Sequence, residues 1–183
     1  MINYELPTEI EIDGEKYPIQ LKGDYRMILD VLEAMSDPEL TANEKPVFAL
    51  NIFYNFNIPY DIEAAYNELN KFINLGEEEE DKPRYKKPLM NWKHDFKLIA
   101  PAINKVLGYD VRSVDYLHWW TFMGAYMEID RKSTFAYVVS LRQKMQEGKL
   151  DKEDRKFIEQ NRKLVYLPTE LSEEDREFLM EDD

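Results

Sequence analysis

Apolar residues alternate with polar ones near the start of the chain, and this pattern predicts a β-hairpin. The alternation runs through EIEIDGEKYPI, residues 9–19, with apolar positions at Ile10, Ile12, Tyr17 and Ile19. The Asp13-Gly14 pair between the two halves favours the positive φ angles of a two-residue type I′ turn. Because Pro18 lacks the N–H that a sheet ladder needs, we expect the second strand to lie at an edge.

From residue 24 onward, apolar residues recur every three or four positions, which is the spacing of amphipathic helices. The first predicted helix begins after an N-cap at Asp24 and ends before Pro38. A second begins near Asn43, and a third follows Pro59 and ends at Gly76 in a left-handed conformation.

The same spacing predicts helices in the second half of the chain. They begin at Trp92, at about Val114, at Phe135 and at Asp151, and they end at Gly108, at about Ile129, at Gly148 and before Pro168. Pro101 should kink the first of these helices or restart it after Ala100, because its ring removes a donor and crowds the preceding turn. The capping-box pattern SEED from Ser172 predicts a last, short acidic helix.

These elements predict a mainly α fold, a helical bundle of about seven to eight helices with a small N-terminal β-hairpin. Residues 1–75 would hold the hairpin and three helices. Residues 76–90 combine an acidic run, a basic run and two prolines, which is typical of a charged linker. Residues 91–183 would form a helical domain with the aromatic helix 114–129 and the acidic C-terminal helix.

The aromatic helix carries LHWWTFMGAYMEI, residues 117–129. On a helical wheel its apolar residues form two adjacent rows, one of Trp119, Phe122, Tyr126 and Ile129 and the other of Leu117, Trp120, Met123 and Met127. The remaining polar strip is narrower than that of an ordinary surface helix. The helix is therefore either central in a bundle or covered by a partner. A catalytic pocket around His118 is the third alternative.

The charge of the chain argues against nucleic acid as a partner. Its 37 acidic and 24 basic residues leave a formal net charge of −13, with a pI near 4.7. Binding to nucleic acid requires a Lys/Arg surface, and the basic cluster RYKK at residues 84–87 directly follows EEEED. No long apolar run or signal peptide occurs, so we expect no membrane association. The lack of cysteine fits a reducing compartment.

Candidate catalytic chemistry is sparse. The two histidines, His94 and His118, lack the spacing of a known metal site, and a histidine that donates to a nearby carboxylate explains them as well. No nucleophile-elbow, P-loop or dinucleotide-binding motif occurs. We therefore expect no catalytic residue, no metal and no cofactor, and a protein that is not an enzyme.

Three segments resemble a family of small proteins from tailed phages and prophages of Gram-positive bacteria, encoded beside the tail tape-measure gene. They are DYRMILDVLEAMSDPELTANEKPVFAL from Asp24, WKHDFKLI from Trp92 and LGYDVRSVDYLHWWTFMGAYMEI from Leu107. The resemblance implies a helical, tail assembly chaperone-like protein in the host cytoplasm. Such a protein would bind the tape-measure protein, and possible further partners are other tail proteins and copies of itself.

Two hypotheses for function follow. In the first, the protein binds the tape measure through residues that otherwise serve as core: Trp119, Trp120, Phe122, Met123, Tyr126 and Met127. In the second, it is a structural tail completion or connector protein retained in the virion, and it forms oligomers through the hairpin edge at residues 17–19.

Overall fold

The computed structural model describes residues 5–78 and 87–168. Within these ranges the elements are β1 (Glu9–Ile12), β2 (Glu15–Pro18), α1 (Tyr25–Ser36), α2 (Glu44–Tyr54), α3 (Ile62–Ile73), α4 (Trp92–Leu107), α5 (Trp119–Met127), α6 (Thr134–Glu147), α7 (Lys152–Gln160) and α8 (Arg162–Val165). Short 3-10 turns occur at Gln20–Gly23 and Val111–Ser113. The predicted fold class is therefore confirmed. The predicted helix from Ser172 and most of the predicted linker lie outside the described residues.

Contacts divide the chain into two units. The first comprises Met1–Lys82 and Tyr109–Met127, and the second comprises Pro83–Gly108 and Glu128–Asp183. The aromatic helix α5 thus belongs with the N-terminal elements, although it is distant from them in sequence. The predicted domain division at residues 76–90 stays a prediction.

The hairpin forms as its sequence indicates. β1 and β2 are antiparallel, with Ile12 opposite Glu15, so that Asp13 and Gly14 alone make the turn at φ angles of 54° and 81°. Ile10 and Ile12 are buried, and β1 contacts α3. Two strands are marginal on their own, and burial of this apolar side supplies the support that they need.

Helices α1 and α3 each begin after an aspartate whose side chain caps the helix, and Asp24 is the cap predicted for α1. Asp24 accepts a hydrogen bond from the backbone N–H of Arg26 at the start of α1, and Asp61 does the same for Ala64 in α3. Gly76 follows α3 at φ 89°, and its N–H donates to the Lys71 carbonyl at 2.8 Å. The left-handed end predicted for the third helix is therefore confirmed.

The predicted start of the aromatic helix at Val114 is wrong. α5 begins at Trp119, and the residues before it are held in other conformations by the first unit. The Leu117 N–H donates to the Asp24 carboxylate, and the Leu117 carbonyl accepts from the Tyr25 N–H. These two bonds engage the backbone of Leu117 with α1, so it cannot join a helical ladder.

Two predictions for the second unit are wrong, one of them only in part. α4 runs through Pro101, so the predicted restart after Ala100 is wrong, and the predicted kink at Pro101 stays a prediction. Proline removes the donor that would pair with the Lys97 carbonyl, and both residues lie on the exposed side of the helix. The single helix predicted from Asp151 to Val165 is broken at Asn161, which has φ −133° and ψ 38°. The Asn161 side chain donates to the Phe157 carbonyl at 2.9 Å and so competes with the helical ladder.

Candidate functional site

The six residues predicted to bind a partner, or to form core, divide by burial. Trp119 and Phe122 are buried, with exposures of 1% and 0%. Met127, at the end of α5, is 62% exposed. The other three, Trp120, Met123 and Tyr126, are half-buried. Two of the six residues are thus core, three are partly covered and one is exposed, and a partner-binding role for them stays a prediction.

The double tryptophan closes the C-terminal end of α3. The Trp119 indole N–H donates to the Ile73 carbonyl at 3.0 Å, and the Trp120 indole N–H donates to the Phe72 carbonyl at 2.9 Å. The last carbonyls of a helix have no partner inside the helix. Two adjacent indoles supply those partners while their rings bury apolar area.

His118 is the N-cap of α5. Its Nδ1 accepts a hydrogen bond from the Trp120 N–H at 3.0 Å, so Nε2 carries the proton and donates to the Pro7 carbonyl, also at 3.0 Å. The predicted carboxylate partner is therefore wrong, because the acceptor is a backbone carbonyl. Burial lowers the pKa of His118 below its ordinary value, although the Pro7 carbonyl and the Asp24 carboxylate favour the charged ring.

His94 lies in the second unit beside a buried ion pair that sequence patterns did not reveal. Asp95 and Arg142 are almost completely buried, and both guanidinium Nη atoms reach the carboxylate, at 2.7 and 2.8 Å. The remaining N–H groups of Arg142 donate to the carbonyls of Leu89, Leu164 and Val165. Burial lowers the pKa of His94, despite the neighbouring Asp95 carboxylate. This cluster links three elements of its unit and explains the burial of Asp95 structurally.

A shallow, open groove lies between α1 and α2 in the first unit. We call it the α1–α2 groove, and it is lined by Asp30, Glu33, Ala34, Asp37, Leu40 and Phe48. Phe48 is 49% exposed, so that a large aromatic surface faces the groove and the solvent. No Lys or Arg is among these lining residues.

Three acidic residues line one side of this groove, Asp30, Glu33 and Asp37, and we call them the acidic wall. Their negative charges are unfavourable for the protein in two ways. Burial, and then the charge of Glu33, raise the pKa of Asp30 above its ordinary value. α1 has no basic residue in its last turn, and its C-cap is Asp37. Negative side chains near a helix C-terminus interact unfavourably with the helix dipole. A positively charged group in the groove would relieve both effects.

The sequence did contain a signal for this groove. Asp30, Glu33 and Asp37 are spaced by three and four residues, which places them on one side of the predicted first helix. What the sequence did not indicate is that Leu40 and Phe48, beyond the Pro38 turn, lie against that side. Their position depends on how α2 packs on α1.

Two further searches concern chemistry and membranes. In the part of the chain that the structure describes, no three His, Asp or Glu side chains group in a way that could hold a metal ion. Across residues 5–78 and 87–168, no helix combines the length and apolar character needed to cross a membrane.

Comparison with known proteins identifies a family. No curated protein and no solved structure matches the chain. The family model described as Bacteriophage Gp15 protein matches residues 2–167, which is most of the 183-residue chain. The chain therefore belongs to the Bacteriophage Gp15 protein family.

Proposed function

We propose that this phage protein is a tail assembly chaperone-like protein, which binds the tape-measure protein in the host cytoplasm and acts without catalysis. Membership of a bacteriophage family supports a role in the phage life cycle. The three segments that resemble proteins encoded beside the tape-measure gene support the assignment to tail assembly. Its net charge of −13 would keep a complex with an apolar client in solution.

The observation that carries the proposal is apolar exposure in residues 47–62 of the first unit. Five large side chains in this stretch are between 49% and 100% exposed: Val47, Phe48, Phe56, Tyr60 and Ile62. Single exposed apolar residues are common, but this density within one α2–α3 hairpin is typical of a protein-binding surface. A long helical client with apolar stripes would bury it.

Phe56 adds a second reason. It follows α2 at φ 62° and is 81% exposed. A bulky side chain at positive φ is strained, and here the strain gains no burial within the fold. Such outliers are found where function, and not stability, determines the conformation.

Co-expression with the neighbouring tape-measure gene tests the proposal. We expect the two proteins to co-purify, and the soluble amount of the tape measure to fall when this protein is omitted. If the two never co-purify and the tape measure is equally soluble alone, the proposal is wrong. A double variant, Phe56→Ser with Tyr60→Ser, should weaken co-purification without changing the thermal midpoint, because both side chains are exposed.

A structural tail protein is the second candidate. The sheet in the described residues has only two strands, and β2 pairs with β1 alone. Its outer edge is therefore available for strand addition by another copy or another tail protein. Mass spectrometry of purified virions separates the candidates, because a chaperone should be absent and a connector should be present in stoichiometric amounts.

A further inference from the structure

We propose that the α1–α2 groove binds an amphipathic helix of the partner that carries Lys or Arg beside its apolar stripe. The proposal rests on the proposed function in that the tape-measure protein would supply this helix. It goes further because it specifies both the surface and the charge of the segment bound.

The apolar part of the groove determines the shape of the occupant. Phe48 and Leu40, with the small Ala34 between acidic neighbours, provide an open apolar floor. A small molecule would leave much of such a shallow groove in contact with water, whereas pockets for small molecules enclose most of the ligand. One side of a helix covers an elongated surface and can place a large side chain against Phe48.

The acidic wall determines the charge of the occupant. Asp30, Glu33 and Asp37 extend along about 10 Å of α1 at its rise of about 1.5 Å per residue. A helix lying alongside can present basic residues with the same spacing of three and four. Lys and Arg also bury their methylene groups while the charged ends reach a carboxylate.

Two features of α1 favour a cationic occupant. Burial and the charge of Glu33 both raise the pKa of Asp30, so a cation beside Asp30 would be favourable. The C-terminal end of α1 carries acids where a cation is favourable, and its last turn contains no basic residue. A cationic partner helix is complementary to both features.

Other occupants are less suited to the groove. The C-terminal segment 169–183 of this chain contains eight acidic residues and one arginine, so it would be repelled. Nucleic acid would be repelled for the same reason. A second copy of the chain is an alternative that the experiment below distinguishes.

The probe is a designed 20-residue helical peptide with a leucine stripe flanked by lysines. Its control has the same stripe flanked by glutamates. Fluorescence anisotropy of labelled peptide should show binding of the lysine peptide and affinity at least about tenfold weaker for the glutamate peptide. If the lysine peptide does not bind, or both bind equally, the proposal is overturned.

Two matched variants locate the binding site. Phe48→Ala should weaken binding of the lysine peptide by about tenfold or more, as expected for a central aromatic contact. Tyr109→Ala removes a comparably exposed aromatic side chain, 41% accessible, outside the groove and should change affinity less than about twofold. Equal effects of the two variants would overturn the assignment to the groove. Both positions are exposed, so unchanged thermal midpoints verify folding.

A charge-matched pair of triple variants separates the wall from net charge. Asp30→Asn, Glu33→Gln and Asp37→Asn together should weaken binding by about tenfold. Glu11→Gln, Glu77→Gln and Glu78→Gln together remove the same charge outside the groove and should have a much smaller effect. Equal weakening would mean that only the overall charge attracts the peptide, which overturns the proposal.

Two further outcomes are decisive. If the wild-type protein forms a dimer that Phe48→Ala dissociates, the groove holds a second copy and the proposal is wrong. If the tape measure co-purifies equally with wild type and with the acidic-wall variant, the groove fails while the proposed function stands. If the lysine peptide binds but the tape measure does not, the groove binds a basic helix while the proposed function is wrong.

Discussion

The carboxylate of Asp24 accepts a hydrogen bond from the backbone N–H of Leu117 at 2.9 Å, across 93 positions of sequence. The same side chain caps α1 through the Arg26 N–H. One buried residue thus fixes the start of α1 and the segment that leads into α5. The aromatic helix is positioned by this connection and by the Trp indoles at the end of α3.

Replacement of Asp24 should therefore lower the free energy of unfolding by more than the loss of a helix cap alone. Asp24→Ala removes a cap and leaves the Leu117 N–H without a partner, which together should cost about 2–4 kcal/mol. Asp61→Ala, which removes only the exposed cap of α3, should cost about 1 kcal/mol. Chemical denaturation of both variants measures the difference, and equal losses would contradict the role given to the Leu117 bond.

The two histidines should make stability fall as the pH drops through about 6.5, a region where few other side chains titrate. Burial lowers the pKa of both His118 and His94 below 6.5. As the pH falls below about 6.5, the unfolded chain binds protons that the folded chain does not, so stability falls.

His118→Asn tests the origin of this dependence. The asparagine can still accept from the Trp120 N–H but cannot titrate. We expect a flatter pH profile of the unfolding midpoint than in wild type, and a flat profile when His94→Gln is added. A double variant with the wild-type slope would rule out the histidines as its source.

Gly23 should resist substitution for two separable reasons. It has φ 76°, and an added Cβ would lie 2.7 Å from the Phe72 ring and 3.1 Å from His118 Nε2. Gly14 has a similar φ of 81° with open space around it. Gly14→Ala should cost about 1–2 kcal/mol from the backbone alone. Gly23→Ala should cost about 1–3 kcal/mol more, from overpacking. Equal midpoints in thermal unfolding would show that the contacts of Gly23 are not tight.

Arg142 should not tolerate lysine. All five of its N–H donors are used in a buried site, by Asp95 and three backbone carbonyls. An ammonium group cannot reproduce that fork, so Arg142→Lys should cost about 3–5 kcal/mol. Arg112 makes a comparable fork with Asp110 at the surface, and Arg112→Lys should leave the urea midpoint nearly unchanged. Similar shifts for both variants would contradict this account.

Local signals predicted most of the fold. The Asp13-Gly14 turn, the cap at Asp24 and the glycine ends follow from neighbouring residues. The failures come from interactions that periodicity does not encode. The start of α5 depends on a hydrogen bond between Leu117 and Asp24, which are distant in sequence. The break at Asn161 depends on a side-chain hydrogen bond, and no Pro or Gly in the sequence indicates it.

The candidate site was predicted less well for a related reason. The aromatic composition of α5 indicated a large apolar surface, but composition cannot distinguish a surface buried by distant elements from one left open. Trp119 and Phe122 are core, whereas Phe48 and Phe56, which drew no attention as contact residues, are exposed. The acids at residues 30, 33 and 37 were visible, but the apolar floor beside them required the packing of α2.

The most direct measurement is the fraction of tape-measure protein that stays in the supernatant during cell-free synthesis with increasing amounts of this protein. The proposed function predicts that this fraction rises with concentration and reaches a plateau at a defined ratio of the two proteins. It also predicts a smaller rise with the Phe56→Ser, Tyr60→Ser variant. A fraction that is the same at every concentration would contradict the proposal that this protein binds the tape measure during assembly.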